Sequence, residues 1–126
     1  MNELNVKPGM RLFLQSKDGK GLIGDGRFKL LKEVRDTGSI MKAAESLGRG
    51  YRKAWEDIRK VEEGFGREVV VKNRGGSEGG STHLTEFGLR LIEAWEEYRK
   101  DISLYLEDSF RRNIKGLIRK GGKNGQ

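Results

Sequence analysis

Apolar and polar residues change their period several times along the chain, and each change marks an element. Met10, Leu12, Phe13 and Leu14 form an apolar run between Pro8-Gly9 and Ser16-Lys17-Asp18-Gly19, and Leu22-Ile23 follow that turn signal. This predicts a β-hairpin over Met10–Gln15 and its return. After Asp25-Gly26, Phe28, Leu30, Leu31 and Val34 recur at near-helical spacing up to Thr37-Gly38, predicting a helix over 26–36. Gly38 suits the residue just past a helix end and Ser39 the N-cap of the next helix. Ile40, Ala43, Ala44 and Leu47 then predict a short second helix, broken by Gly48-Arg49-Gly50. Ala54, Trp55, Ile58 and Val61 predict a third over about 51–63, ended by Gly64-Phe65-Gly66.

The period next shortens. Val69-Val70-Val71 is the strongest strand signal, and a glycine-rich stretch from Asn73 to Ser81 separates it from Thr82-His83-Leu84. Two short strands with a long flexible tip are expected. Thr85 is placed to cap a long helix beginning near Glu86. Leu91, Trp95, Tyr98, Ile102 and Tyr105 alternate in steps of 4 and 3, a short a/d seam that could pack on its own domain or make a dimer contact. From Ser109 to Lys120, Phe110, Ile114, Leu117 and Ile118 share a face with Arg111, Arg112, Lys115, Arg119 and Lys120 around it, either as a continuation or as a separate helix. Gly121–Gln126 reads as a disordered tail. The expected organisation is one domain over 1–108 and a basic extension over 109–126.

Composition narrows the chemistry. Of 126 residues, 34% are hydrophobic and 36% charged, a lean core under a charged surface; two Trp, three Tyr and five Phe still argue for a packed interior. The absence of cysteine excludes a disulfide framework, a thiolate metal site and a cysteine nucleophile. A single histidine, His83, leaves little for metal binding or for acid–base work near neutral pH. No window approaches ~18 consecutive apolar residues and the N-terminus lacks a signal-peptide core, so a cytoplasmic location is expected.

Charge is segregated. Residues 42–74 carry 9 basic and 6 acidic side chains, residues 75–108 carry 3 and 8, and residues 109–126 carry 6 and none. A net charge of +7 sorted in this way suits a polyanion partner, although a solubilising surface gives the same totals.

The two ideas meet in the middle of the chain. A helix-turn-helix needs a small residue where its helices cross, a glycine in the turn and apolar packing behind the second helix. Ala44, Gly48, Ala54 and Ile58 supply these at the required spacing. With a preceding helix and a following hairpin, the fold class is mainly α with small β: a winged helix-turn-helix with an N-terminal β-hairpin and a long C-terminal dimerisation helix. The third helix would enter the major groove. Its start offers Arg49, Gly50, Tyr51, Arg52 and Lys53 to bases or phosphates, with Ser39 heading the preceding helix. Arginine pairs with the guanine edge through two hydrogen bonds. The wing, about 72–82, offers Lys72, Arg74, Gly75, Gly76 and Ser77 to the backbone or minor groove, where glycines allow close approach.

Other signals weigh less. Gly19, Gly21 and Gly24 match G-x-G-x-x-G, but Leu22-Ile23 look like a returning strand and the chain is too short for a full parallel sheet. Trp55, Trp95 and Tyr98 could stack on bases but sit at core or dimer spacing. Glu62-Glu63 and Glu96-Glu97 read as solvated faces, since adjacent helical residues do not face each other.

The sequence resembles the N-terminal DNA-binding domain of molybdate-responsive regulators of the ModE type, which are related to LysR-type winged helices. The resemblance rests on Gly38-Ser39-Ile40-Met41-Lys42-Ala43-Ala44, on Tyr51-Arg52-Lys53-Ala54-Trp55, and on Leu84-Thr85-Glu86-Phe87-Gly88-Leu89-Arg90-Leu91-Ile92. It covers about residues 10–105. It implies a homodimer on a pseudopalindromic site, made in part by the long helix after the wing with the N-terminal hairpin region, with recognition by Tyr51, Arg52 and Lys53 and wing contacts around Arg74; on that helix the seam Leu91, Trp95, Tyr98, Ile102 and Tyr105 is the candidate dimer contact. Gly50 departs from the serine usual in that family. The molybdate-binding domains find no room after residue 108, so oxyanion sensing is not expected of this chain. The expected function is sequence-specific, cofactor-free binding of double-stranded DNA by a non-enzymatic, homodimeric regulator. A non-specific architectural DNA binder and a protein-interaction winged helix are its rivals.

Overall fold

Phe28, Leu30, Leu31 and Val34 become the buried face of helix α1 (Asp25–Thr37), the element around which the others are arranged. The computed structural model describes residues 5–73 and 81–118. They fall into two units: Leu12–Trp95 is one, and residues up to Arg11 together with those from Glu96 onward form the other.

Within Leu12–Trp95, strands β1 (Phe13–Gln15) and β2 (Gly21–Gly24) pair antiparallel, with Phe13 opposite Gly24 and Leu14 opposite Ile23. The predicted strand from Met10 is thus shortened. Its partner stops at Gly24 because Asp25 already opens α1. The glycines at 19, 21 and 24 belong to this antiparallel hairpin rather than to a dinucleotide-binding turn.

Helix α1 ends at Gly38, whose left-handed backbone (φ 71°) lets its amide return to the Val34 carbonyl at 2.8 Å. Ser39 then caps α2 (Ile40–Ser46) by accepting from the Lys42 amide at 3.0 Å. Helix α3 (Tyr51–Phe65) runs past its predicted end and stops at Gly66. Gly64 serves packing instead of termination: a Cβ there would lie 2.3 Å from Leu22 Cδ2. Helix α1 packs on α2, α3, β2 and the wing strand β4.

The wing strands β3 (Val70–Asn73) and β4 (Ser81–Leu84) are antiparallel, with Val71 opposite His83 and Lys72 opposite Thr82. Hydrogen bonds hold them to the helices. The Thr82 amide donates to the Gly38 carbonyl at 2.9 Å. Glu62 accepts from the Val69 and Val70 amides at 2.8 and 3.3 Å. Glu62 is therefore a strand anchor in α3 and not the solvated carboxylate its sequence position suggests.

Helix α4 (Glu86–Phe110) starts at Thr85, whose hydroxyl accepts from the Gly88 amide at 2.9 Å and lies 2.8 Å from the Glu68 carbonyl. Its first turns bury Leu91, Ile92 and Trp95, and the Trp95 ring stands 6.1 Å from that of Phe28. This divides the predicted seam. Leu91 and Trp95 are core residues of the Leu12–Trp95 unit, with 8% and 2% of their surface exposed. The start of the short heptad is met within the chain itself, Trp95 lying against Phe28 of α1.

In the other unit, α4 continues from Glu96 to Phe110 with Tyr98, Ile102, Leu104 and Tyr105 exposed. It passes into a π-helical stretch, Arg111–Lys115, and remains helical to residue 118. As far as residue 118 the basic segment is thus a continuation of the long helix, and residue 108 lies inside α4. Arg112 pairs with Asp108 one turn back at 2.8 Å, and that hydrogen bond, with one donated to the Tyr105 oxygen, raises its pKa above the ordinary arginine value. The expected tail, Gly121–Gln126, lies outside the described residues.

Candidate nucleic-acid interface

The turn between α2 and α3 is built by backbone geometry. Gly48 takes a left-handed φ of 65°, which side-chain-bearing residues resist, and the Arg49 amide returns to the Ala44 carbonyl at 2.8 Å. Ala44 and Ala54 are buried in the cluster that packs α2 against α3. One face of α3 holds Ala54, Asp57, Ile58 and Val61 inward. Tyr51, Arg52, Lys53, Arg59 and Lys60 lie exposed on the rest of its surface. Gly50 caps α3 in an extended conformation without a side-chain hydrogen bond. Ser39 has its hydroxyl already engaged by the Lys42 amide.

Arg49 is less free than its sequence position suggested. It is one of three cations around Asp57, which is 95% withdrawn from solvent on α3's inner face, 5% of its surface remaining exposed. Arg27 Nε lies 3.1 Å from Oδ1, Lys53 Nζ 3.5 Å from the same oxygen and Arg49 Nη1 3.5 Å from Oδ2. Arg27 also donates to the carbonyls of Gly21 and Leu22, both at 3.0 Å, so the cluster joins β2, α1, the turn and α3. Arg27, Arg49 and Asp57 border a cleft of about 350 Å³ against Phe13 and Gly24. Sequence reasoning missed Asp57. The available signal was a lone carboxylate on the Ala54–Ile58–Val61 face, with Lys53 one turn before it.

On the wing, Lys72 reaches back so that its ammonium lies 5.3 Å from the centre of the half-buried Trp55 ring. This ties β3 to α3 through a cation–π contact. His83 is exposed, with Nε2 3.3 Å from the Ser81 hydroxyl. Arg74, Gly75, Gly76 and Ser77 lie outside the described residues. Among the described residues no group of three or more His, Cys, Asp or Glu is placed to hold a metal ion. None of their helices is long and apolar enough to cross a membrane.

Comparison with known proteins agrees with this architecture. Residues 26–89 match the family described as "Bacterial regulatory helix-turn-helix protein, lysR family". The chain is 37% identical over 93 residues to the transcriptional regulator ModE of Yersinia pestis, covering 74% of this chain and 32% of the relative. It is 31% identical over 93 residues to the ModE of Haemophilus influenzae, covering 74% and 33%. With the DNA-binding transcriptional dual regulator ModE of Escherichia coli K12 it shares 34% over 70 residues, 56% of this chain and 27% of the relative. The chain thus spans about a third of the length of the curated relatives it matches. The matched family is one of regulatory proteins and not an enzyme class. From the α1 core through the turn, α3 and the wing to the first residues of α4, the chain carries a ModE-like DNA-binding domain and belongs to the lysR family of bacterial regulatory helix-turn-helix proteins.

Proposed function

We propose that the chain binds double-stranded DNA sequence-specifically as a homodimer and regulates transcription in the cytoplasm, without cofactor or catalytic activity. The observation that carries this reading is the exposed cluster Tyr51, Arg52 and Lys53 on the first turn of α3, immediately after the helix-turn-helix glycine. The N-terminal residues of the second helix are those that reach base edges in this motif. Arg52 reads a base pair, and Lys53 and Tyr51 set the helix against phosphate and sugar. Lys72, with Arg74 and the glycines from Gly75 on, follows the neighbouring backbone or minor groove. Gly50 and Ser39 bring two helix starts toward phosphate.

The homodimer is supported by the exposed apolar residues on the second half of α4. Tyr98, Ile102 and Tyr105 expose 40%, 37% and 66% of their surface, which is large for such side chains on a helix of a protein that stays alone. Leu91 and Trp95 drop out of this seam. Molybdate sensing is not part of the proposal.

Selection from a random duplex library at ~0.15 M salt tests the reading, since lower salt inflates non-specific attraction. Enrichment of a pseudopalindrome with half-sites about 34 Å apart, or a multiple, is expected. Binding without an enriched sequence would favour an architectural role, and no binding would refute the DNA reading.

A further inference from the structure

Among the described residues Asp57 is the only buried carboxylate, and its three cations are not equivalent. Arg27 is fixed: it has the shortest contact, 3.1 Å, and donates to two main-chain carbonyls as well. Arg49 and Lys53 reach the carboxylate only at 3.5 Å, and 57% of the Lys53 side-chain surface is exposed. A buried charge must keep a partner, or its desolvation goes uncompensated. Arg27 alone meets that need. Arg49 and Lys53 can therefore leave for a phosphate or base edge without stranding Asp57. Until then the carboxylate restricts their rotamers at the start of α3 and offsets part of their charge.

We infer that Asp57 is a positioning residue of the DNA interface: it holds Arg49 and Lys53 aligned and releases them to a matching site, with Arg27 as its permanent counter-ion. The inference rests on the DNA-binding reading above. It makes two substitutions act in opposite directions on DNA of arbitrary sequence. Asp57→Asn unties both cations, so indiscriminate phosphate attraction grows while the aligned geometry is lost. Arg27→Gln leaves Arg49 and Lys53 as the sole partners of the carboxylate, so neither is released.

The test is fluorescence anisotropy with the full chain at ~0.15 M salt, on the selected duplex and on a scrambled one, for the parent and both variants. Asp57→Asn is expected to bind the scrambled duplex about three- to tenfold more tightly, and the ratio of selected to scrambled affinity is expected to fall by a similar factor. Arg27→Gln is expected to weaken binding to both duplexes about tenfold. An unchanged ratio in Asp57→Asn, or weaker binding by both variants in step with lower melting temperatures, would overturn the inference and leave the cluster as scaffold. If Asp57→Asn melts below the assay temperature, unchanged affinity in a folded Arg27→Gln overturns it instead, and weakened affinity in that variant supports it. Failure of the parent to bind either duplex would remove the DNA reading itself, whereas binding by the parent with indifferent variants removes only the role of Asp57.

Discussion

Gly88 lies against the main chain of Val69, so close that a Cβ at position 88 would stand 2.4 Å from the Val69 carbonyl oxygen. The same oxygen accepts from the Thr85 amide at 3.0 Å, so helix α4 and the start of the wing meet backbone to backbone. The Leu-Thr-x-x-Gly element thereby acquires a physical reason: the threonine caps the helix and the glycine permits the approach.

Gly88→Ala is accordingly expected to destabilise the protein by about 1–3 kcal/mol. Alanine's helix propensity would offset up to about 1 kcal/mol, but carbonyl and helix backbone cannot step aside as a side chain can. Urea denaturation checks this; an equal or raised midpoint would contradict it.

Gly50→Ser should act the other way. Gly50 has φ −67° and ψ 149°, which any residue adopts, and a Cβ there meets nothing within 4 Å. Serine removes freedom from the unfolded chain and supplies the missing cap, for a gain of about 0.5–1 kcal/mol. A rise in melting temperature is the expected readout.

Glu62→Ala removes the side-chain acceptor of the Val69 and Val70 amides and should cost about 1–3 kcal/mol, with Glu62→Gln costing less because it keeps an oxygen. Denaturant midpoints of the two variants would order them. If both matched the parent, Glu62 would be the surface residue it resembles in sequence.

At the DNA interface, Arg52→Ala and Lys72→Ala should differ in kind. Arg52→Ala is expected to lose about 1–3 kcal/mol of discrimination at one base pair. Lys72→Ala is expected to weaken all sequences alike and reduce the salt slope by about 1. Because Lys72 lies over Trp55, its removal should also shift the tryptophan emission of the free protein.

Replacing Tyr98 and Tyr105 together by glutamate is expected to give a folded monomer in sedimentation velocity at micromolar concentration, with a lower melting temperature as the partner's stabilisation is lost. Both side chains are exposed, and like charges facing each other across a seam would oppose association. A parent that already sediments as a monomer would refute the proposed homodimer, and a variant that stays dimeric would refute this contact.

The helices were legible because their apolar periods are clean. Phe28, Leu30, Leu31 and Val34 can hardly face anything but a core, and the glycines at 38 and 48 mark their turns directly. What stayed hidden were residues whose partners come from elsewhere in the chain. Asp57 looks like an ordinary helical carboxylate until Arg27 is folded beside it, and Glu62 until β3 arrives. Trp95 shows a different limit: a heptad reveals that a face wants covering but not which surface covers it, and here the cover is Phe28 of the same chain. Arg49 lies between these cases, correctly placed at the turn yet already held by a carboxylate that spacing does not disclose.

The hydrogen bond from the Thr82 amide to the Gly38 carbonyl also bears on the order in which the molecule assembles. Helices α1, α2 and α3 are joined by short turns and can find one another locally, whereas this bond closes a loop containing all of α2, α3 and β3. Closing a loop of that size takes its entropic cost before the reward arrives. Strand β4 is therefore expected to lock after helices α1 to α3 are in place. On a ribosome helices α1 to α3 are expected to gather while the wing is still being made, and the unit is complete only when the first turns of α4, through Trp95, have emerged behind residues 81–84.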